Sequence, residues 1–191
     1  MIDPLWYVPV LKIVFFVAAS MPLVYVSRPF LKQPRSHGFY RFFAWEAILG
    51  LVMLNLDLWF VNPFSWYQLI SWGLLLISIF LLLSGLRALV EFGQPDASRQ
   101  GAALFGIEKT TRLVTTGIYG YIRHPLYSSL LFLAWGAFFK DLSLVGVALA
   151  LVSTFFLIAT ARAEEAECMR TFGSDYEQYK QGTKMFLPFL F

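Results

Sequence analysis

Two polar clusters interrupt a chain that is otherwise largely apolar. The first is Gly117-Ile118-Tyr119-Gly120-Tyr121-Ile122-Arg123-His124-Pro125-Leu126-Tyr127; the second is Arg162-Ala163-Glu164-Glu165-Ala166-Glu167. Pro125 has no N–H and a fixed φ, so it suits the first turn of a helix. It also steers His124 out of helical backbone. His124 then stands at a helix mouth, beside backbone donors and the positive end of the dipole, where a carboxylate or phosphate is readily held. Arg123 adds a charge-assisted donor. Tyr119 and Tyr127 offer flat faces and hydroxyls, and Gly117 and Gly120 let a ligand approach the backbone closely. The second cluster places Glu164 and Glu165 at the end of a long apolar helix. Acids there oppose the dipole and call for a cationic partner, either Arg123 or a ligand. The plainer alternatives are an intrahelical pair from Arg162 to Glu165 and, for the first cluster, anchoring at the membrane interface. If the clusters converge, they form a pocket with one positive and one negative wall, which suits a zwitterion.

The elements that must position these groups are membrane helices. Of 191 residues, 58% are hydrophobic, 18% aromatic and only 14% charged. A soluble domain of this size could not hide so much apolar surface. The expected fold is all-α and integral to the membrane, with about five transmembrane helices. Spans are placed at about 4–26, 42–61, 66–90, 125–139 and 142–161. Asp3 is a candidate N-cap, with Pro4 at the first helical position, and Pro9 and Pro22 can bend the first span. A basic loop is expected over 27–41. The short turn at 62–65 predicts that spans two and three form an antiparallel hairpin. Lys140-Asp141 makes a tight turn between spans four and five, bringing Pro125 beside Ala161. Span five is expected to continue as helix to a cap at Gly173. Ser174-Asp175-Tyr176-Glu177 reads as the capping box of a short helix. The apolar tail from Met185 to Phe189 is expected to pack back on the bundle or the interface. The segment from Glu91 to Arg123, punctuated by Gly93, Pro95, Gly101, Gly106 and Gly117, is long for a loop and reads as a binding segment.

Charge narrows the partners. The net +3 is modest, and its short basic clusters suit an anionic membrane surface rather than a nucleic-acid stripe. Nearly all Lys and Arg fall on one side of a five-span topology, Lys12 and Lys140 excepted. That side is therefore expected to be cytoplasmic, with the N-terminus outside. The first apolar segment lacks a charged leader and a small-residue cleavage site, so it reads as a retained span. Cys168 stands alone, and His37 and His124 lie far apart, so no disulfide and no metal site is expected. No GxxxxGK or GxGxxG stretch is present. Glu46 is expected to pair with Arg41 or Arg87, and Asp57 to be wet.

The stretch Leu113-Val114-Thr115-Thr116-Gly117-Ile118-Tyr119, followed by Arg123-His124-Pro125-Leu126-Tyr127, resembles the core motif of the isoprenylcysteine carboxyl methyltransferases and the related phospholipid methyltransferases. Glu164-Glu165, Phe172-Gly173, Tyr176, Tyr179 and Pro188 continue the pattern over about the last 80 residues. Thr160 and Thr183-Lys184 depart from it. The resemblance implies a small prokaryotic-type enzyme that uses S-adenosylmethionine, releases S-adenosylhomocysteine and holds its cofactor at the cytosolic face. It implies that His124 and the mouth around Pro125 and Tyr127 hold the methionine carboxylate. Glu164 or Glu165 would hold the ammonium or ribose hydroxyls, and Val114, Gly117 and Tyr119 would lie along the cofactor. Residues 1–90 would be a three-span scaffold and 91–191 the catalytic region. A lipophilic acceptor would enter from the bilayer, its carboxylate met by Arg123 or Arg162. An amine acceptor would need a base, for which Glu165 is a candidate. Phospholipid amine and small-thiol acceptors are alternatives. So is a sterol-type reductase using NADPH, with Arg99, Lys109 and Arg112 as a phosphate cluster. A scaffold or lipid-binding protein without catalysis is a fourth reading.

Overall fold

The computed structural model describes residues 7–93 and 112–190. The expectations at Asp3, Pro4, Pro95, Arg99, Gly101, Gly106 and Lys109 lie outside those residues. Among those residues six α-helices follow in order: α1 (Tyr7–Leu31), α2 (His37–Leu54), α3 (Trp66–Phe92), α4 (Pro125–Phe138), α5 (Leu144–Phe172) and α6 (Ser174–Gly182). Single 3-10 turns occupy Leu56–Leu58 and Gly117–Gly120. Among the described residues there is no strand, only an isolated parallel bridge between Ile122 and Lys184.

Three described helices, α1, α3 and α5, are long and apolar enough to cross a membrane. Their outward faces carry Val14, Met21, Leu76, Phe80, Val145 and Phe155, all exposed, as lipid-facing side chains would be. The 14 residues of α4 span about 21 Å at 1.5 Å per residue, less than the ~30 Å of a hydrocarbon core. The 29 residues of α5 reach about 43 Å, so its glutamate-bearing end extends beyond such a core.

The core lies where α2, α4 and α5 meet. Ala44, Ile48 and Leu51 pack with Ala134, Ala137, Ala150, Leu157 and Ala161, and Phe186 of the tail closes one end. The tail therefore packs back on the bundle as expected. Helix α3 lies on α4 through small and hydroxyl side chains. Ser71 Oγ donates to Gly136 O at 2.6 Å and Ser78 Oγ to Ser129 O at 2.7 Å. A Cβ at Gly136 would stand 2.9 Å from Leu75, so glycine sets that approach. Close backbones and hydroxyl bonds are how apolar helices associate where no hydrophobic drive separates them from lipid.

Three local expectations are corrected. The basic loop shrinks to residues 32–36, because α1 runs on to Leu31 and α2 starts at His37. Ser36 caps α2, its side chain accepting from Phe39 N. Arg41 is buried, its guanidinium 5.0 Å from the Trp45 ring centre. Spans two and three do not form the expected hairpin: α2 packs mainly on α5 and α1, and α3 on α4. The reason is that α2 ends early, at Asn55, whose Nδ2 donates to Ala137 O at 2.8 Å and draws in the end of α4. Lys140 stands in the expected tight turn between α4 and α5, and is buried there. It is 2% exposed, with Nζ 2.9 Å from Gln68 Oε1 and 3.2 Å from the Trp72 ring centre. The capping box does not form either, because Gly173 itself precedes α6 and Ser174 is already helical.

Candidate active site

The two clusters converge. Pro125 opens α4 with His124 as its N-cap, and α5 carries Glu164 and Glu165 past it. Arg123 Nε donates to Glu165 Oε1 at 2.7 Å, with both side chains almost fully buried. Arg123 is thus the cationic partner that acids at a helix end call for. Its Nη1 also donates to Thr183 O, and Lys180 O lies 3.4 Å away. On the far side of the carboxylate, Lys180 Nζ meets Glu165 Oε2 at 2.7 Å.

The tail is stitched along the mouth of α4. Arg123 N donates to Lys184 O at 2.8 Å, Lys184 N to Tyr121 O at 3.2 Å, and His124 N to Met185 O at 3.1 Å. The Ser128 hydroxyl lies 2.9 Å from both His124 O and Phe186 O. One of the backbone donors expected to be free at that mouth is therefore occupied by the chain itself.

His124 is buried and stacked on Tyr127, ring centres 5.5 Å apart. Its Nδ1 stands 3.8 Å from Glu164 Oε2 and its Nε2 3.5 Å from Glu165 Oε1. Neither distance is a normal hydrogen bond. His124 Nε2 and Glu164 Oε2 are both buried without a hydrogen-bond partner among the described residues. Such groups are expensive unless something satisfies them. A pocket of about 360 Å³ is lined by Arg123, Arg162, Glu165, Ala166, Met169, Lys180 and Met185; His124 and Glu164 adjoin it through Glu165 and do not themselves line it. That volume lies within the roughly 300–1,000 Å³ of small-molecule sites. Arg162 is exposed and has no ion pair among the described residues, so the intrahelical pair with Glu165 is not formed.

Val114, Gly117 and Tyr119 occupy a neighbouring position. Val114 and Tyr119 pack with Ala88 and Leu89 of α3, and Gly117 adopts φ +61° next to Ala88. Tyr179 OH donates to Tyr119 O at 2.7 Å, joining this group to α6. Burial pushes the phenols of Tyr176 and Tyr179 above their ordinary 10, so both remain donors at neutral pH. Sequence reasoning missed Lys180, Thr183 and Met185, which meet the site across the turn at Gly173. It also missed His37, fully buried with Nδ1 2.9 Å from Glu167 Oε1. Glu46 instead accepts from Ser20 Oγ at 2.7 Å, Arg87 pairs with Glu91, and Asp57, half exposed, pairs with Lys12. No group of acids, His and Cys able to hold a metal occurs among the described residues.

The described residues thus form a membrane-type helical chain in which a buried ion-paired clamp flanks a pocket lined by charged side chains. The chain belongs to the phospholipid methyltransferase family, whose profile matches residues 66–175 and so spans the clamp from α3 to the start of α6. It is 26% identical over 186 residues to a methanethiol S-methyltransferase of Pseudomonas deceptionensis, covering 95% of this chain and 61% of that protein. It is 33% identical over 129 residues to the protein-S-isoprenylcysteine O-methyltransferase of Schizosaccharomyces pombe, covering 66% and 52%. A methanethiol S-methyltransferase of Bradyrhizobium diazoefficiens is 31% identical over 86 residues, 44% of this chain and 30% of that one. The chain thus spans less than two thirds of these relatives. No solved structure matches it.

Proposed function

We propose that this protein is an S-adenosylmethionine-dependent methyltransferase of the membrane, acting on the carboxylate of an isoprenylcysteine-like, lipophilic acceptor. The observation that carries the reading is the pair of unsatisfied buried atoms, His124 Nε2 and Glu164 Oε2, beside a pocket with an unpaired arginine. This donor set fits a zwitterion that also bears hydroxyl groups. His124 Nε2 takes the methionine carboxylate, Glu164 Oε2 the ribose hydroxyls, and Glu165 Oε2 the ammonium. Val114, Gly117, Tyr119, Pro125 and Tyr127 line the remainder. Bound there, the cofactor supplies a methyl group activated by its positive sulfur.

The chain's task is then alignment and exclusion of water. Orientation of reactants can be worth roughly 7–11 kcal/mol. A carboxylate acceptor is already ionised at neutral pH and needs no base. Arg123 is spent on Glu165 and on backbone carbonyls, so Arg162 is the residue that meets the acceptor's charge and Arg123 positions the site. Residues 91–191 form the catalytic region and 1–90 a scaffold of three spans. All five longer helices lie in the bilayer, with the pocket facing the cytoplasm.

A second reading, methylation of a small thiol, is favoured by the names of several relatives. Its acceptor, as a thiolate, would also be anionic at Arg162. Calorimetry with S-adenosylhomocysteine, with NADPH as control, tests the class. Micromolar binding of the first and none of the second is expected, and the reverse would point to a reductase. Labelled methyl transfer to a prenylcysteine, methanethiol and phosphatidylethanolamine then separates the acceptors. Transfer to the amine alone would overturn the anionic-acceptor reading.

A further inference from the structure

The Glu165 carboxylate is held from three directions, and its three partners are not equivalent. Arg123 Nε meets Oε1 at 2.7 Å from a side chain only 8% exposed, and that guanidinium is pinned by Thr183 O as well. His124 Nε2 stands 3.5 Å from the same oxygen. Oε2 is closed by Lys180 Nζ at 2.7 Å, and the Lys180 side chain is 47% exposed, with no other partner for its ammonium among the described residues. Lys180 also lines the pocket, directly opposite no competing acid but Glu165. One oxygen of the carboxylate is therefore committed, and the other is covered by a removable cation.

We propose that Lys180 is a placeholder for the ligand's ammonium. It occupies the position on Glu165 Oε2 where the amino group of a zwitterionic ligand docks, and it leaves for solvent when that ligand enters. This rests on the function proposed above. With Arg123 committed to Oε1, a buried Oε2 left without a donor would be costly, so an empty pocket needs a donor of its own. Lysine suits the task. Its ammonium is a compact, strongly hydrated charge on a flexible stem, readily given back to water, whereas a bidentate arginine would be held in place. Ligand entry then exchanges one ammonium for another and keeps the charge on Glu165 balanced throughout. Lys180 lies on α6, beyond the residues matched by the family profile.

The test is calorimetry of S-adenosylhomocysteine, and of its analogue lacking the α-amino group, on the full-length protein and on Lys180→Gln. Removing the competitor is expected to tighten S-adenosylhomocysteine binding about fivefold, the upper range for an ion pair with one exposed partner. The deaminated analogue, which has no ammonium to dock, is expected to bind both proteins equally. In parallel, amine acetylation read by mass spectrometry is expected to label Lys180 of the wild type faster when S-adenosylhomocysteine saturates it, but not with the analogue. Weaker binding by the variant, with Lys180 protected by ligand, would make Lys180 a direct ligand contact and overturn the placeholder. Equal affinities and unchanged labelling would overturn it too, leaving the methyltransferase reading intact. No binding by either protein would overturn both.

Discussion

Replacing Arg123 by Met and Glu165 by Gln, singly and together, measures how far the site is held by one ion pair. The two groups meet at 2.7 Å with 8% and 5% of their side chains exposed. Removing one partner of a buried pair costs about 3–5 kcal/mol, because the other charge stays behind without compensation. Here Glu165 keeps Lys180, and Arg123 keeps the Thr183 carbonyl, so each single change belongs at the low end, about 3 kcal/mol. For a chain of this length that is a fall of roughly 6–12 °C in the thermal midpoint. The double variant leaves no buried charge orphaned, since Lys180 is 47% exposed and can turn to solvent. It should lie well short of the sum of the singles, with a coupling above about 1.5 kcal/mol. Tryptophan fluorescence during thermal unfolding in detergent reads all four proteins. Single variants within about 2 °C of wild type, or a strictly additive double, would refute the claim that this pair holds α4, α5 and the tail together.

Glu164 makes the opposite prediction. Its Oε2 has no hydrogen-bond partner among the described residues, so Glu164→Gln should leave the midpoint nearly unchanged. It should weaken S-adenosylhomocysteine binding about tenfold, the scale of a hydrogen bond to a charged group; calorimetry distinguishes the two effects. Arg162→Ala should raise the KM for an anionic acceptor about tenfold or more, leaving the affinity for S-adenosylhomocysteine within about twofold, which steady-state kinetics and calorimetry check separately. Lys140 supplies a pH test. Burial pushes its ammonium from the ordinary 10.5 down to about 8. Between those values the unfolded chain binds more protons than the folded one, so stability rises with pH. From pH 8 to 10 the thermal midpoint of the wild type should rise relative to that of Lys140→Met, and parallel curves would contradict it.

Much of the fold was legible because the signals were covalent. Pro125 opens α4, Gly173 ends α5, and the apolar run from Trp66 is a helix, as its residue types demand. The convergence of the clusters was legible too, since a tight turn after α4 leaves α5 little choice but to return beside Arg123. What the sequence hid were contacts that reverse an ordinary reading of charge. Arg28 and Arg41 look like loop residues, yet both lie in helices, Arg41 buried against Trp45. Ser36, three residues before Phe39, was the available sign that a helix starts there. Lys140 looks like a surface turn, yet Trp72 and Gln68 take it inside. Lys180 carries no local mark, because its meeting with Glu165 depends on how α6 folds back after Gly173.

That fold-back has a consequence for how this region can change over time. Gly173 closes α5 and opens α6 with a single residue at φ +54°, leaving no slack between the two helices. A helix turns about 100° per residue. One residue inserted between Gly173 and Lys180 would therefore swing Lys180 roughly a quarter turn or more away from Glu165 and shift Thr183 and Met185 off the mouth of α4. The distance from Gly173 to the tail is a fixed register, and length changes in this region have to fall after the tail has been secured, beyond Phe186.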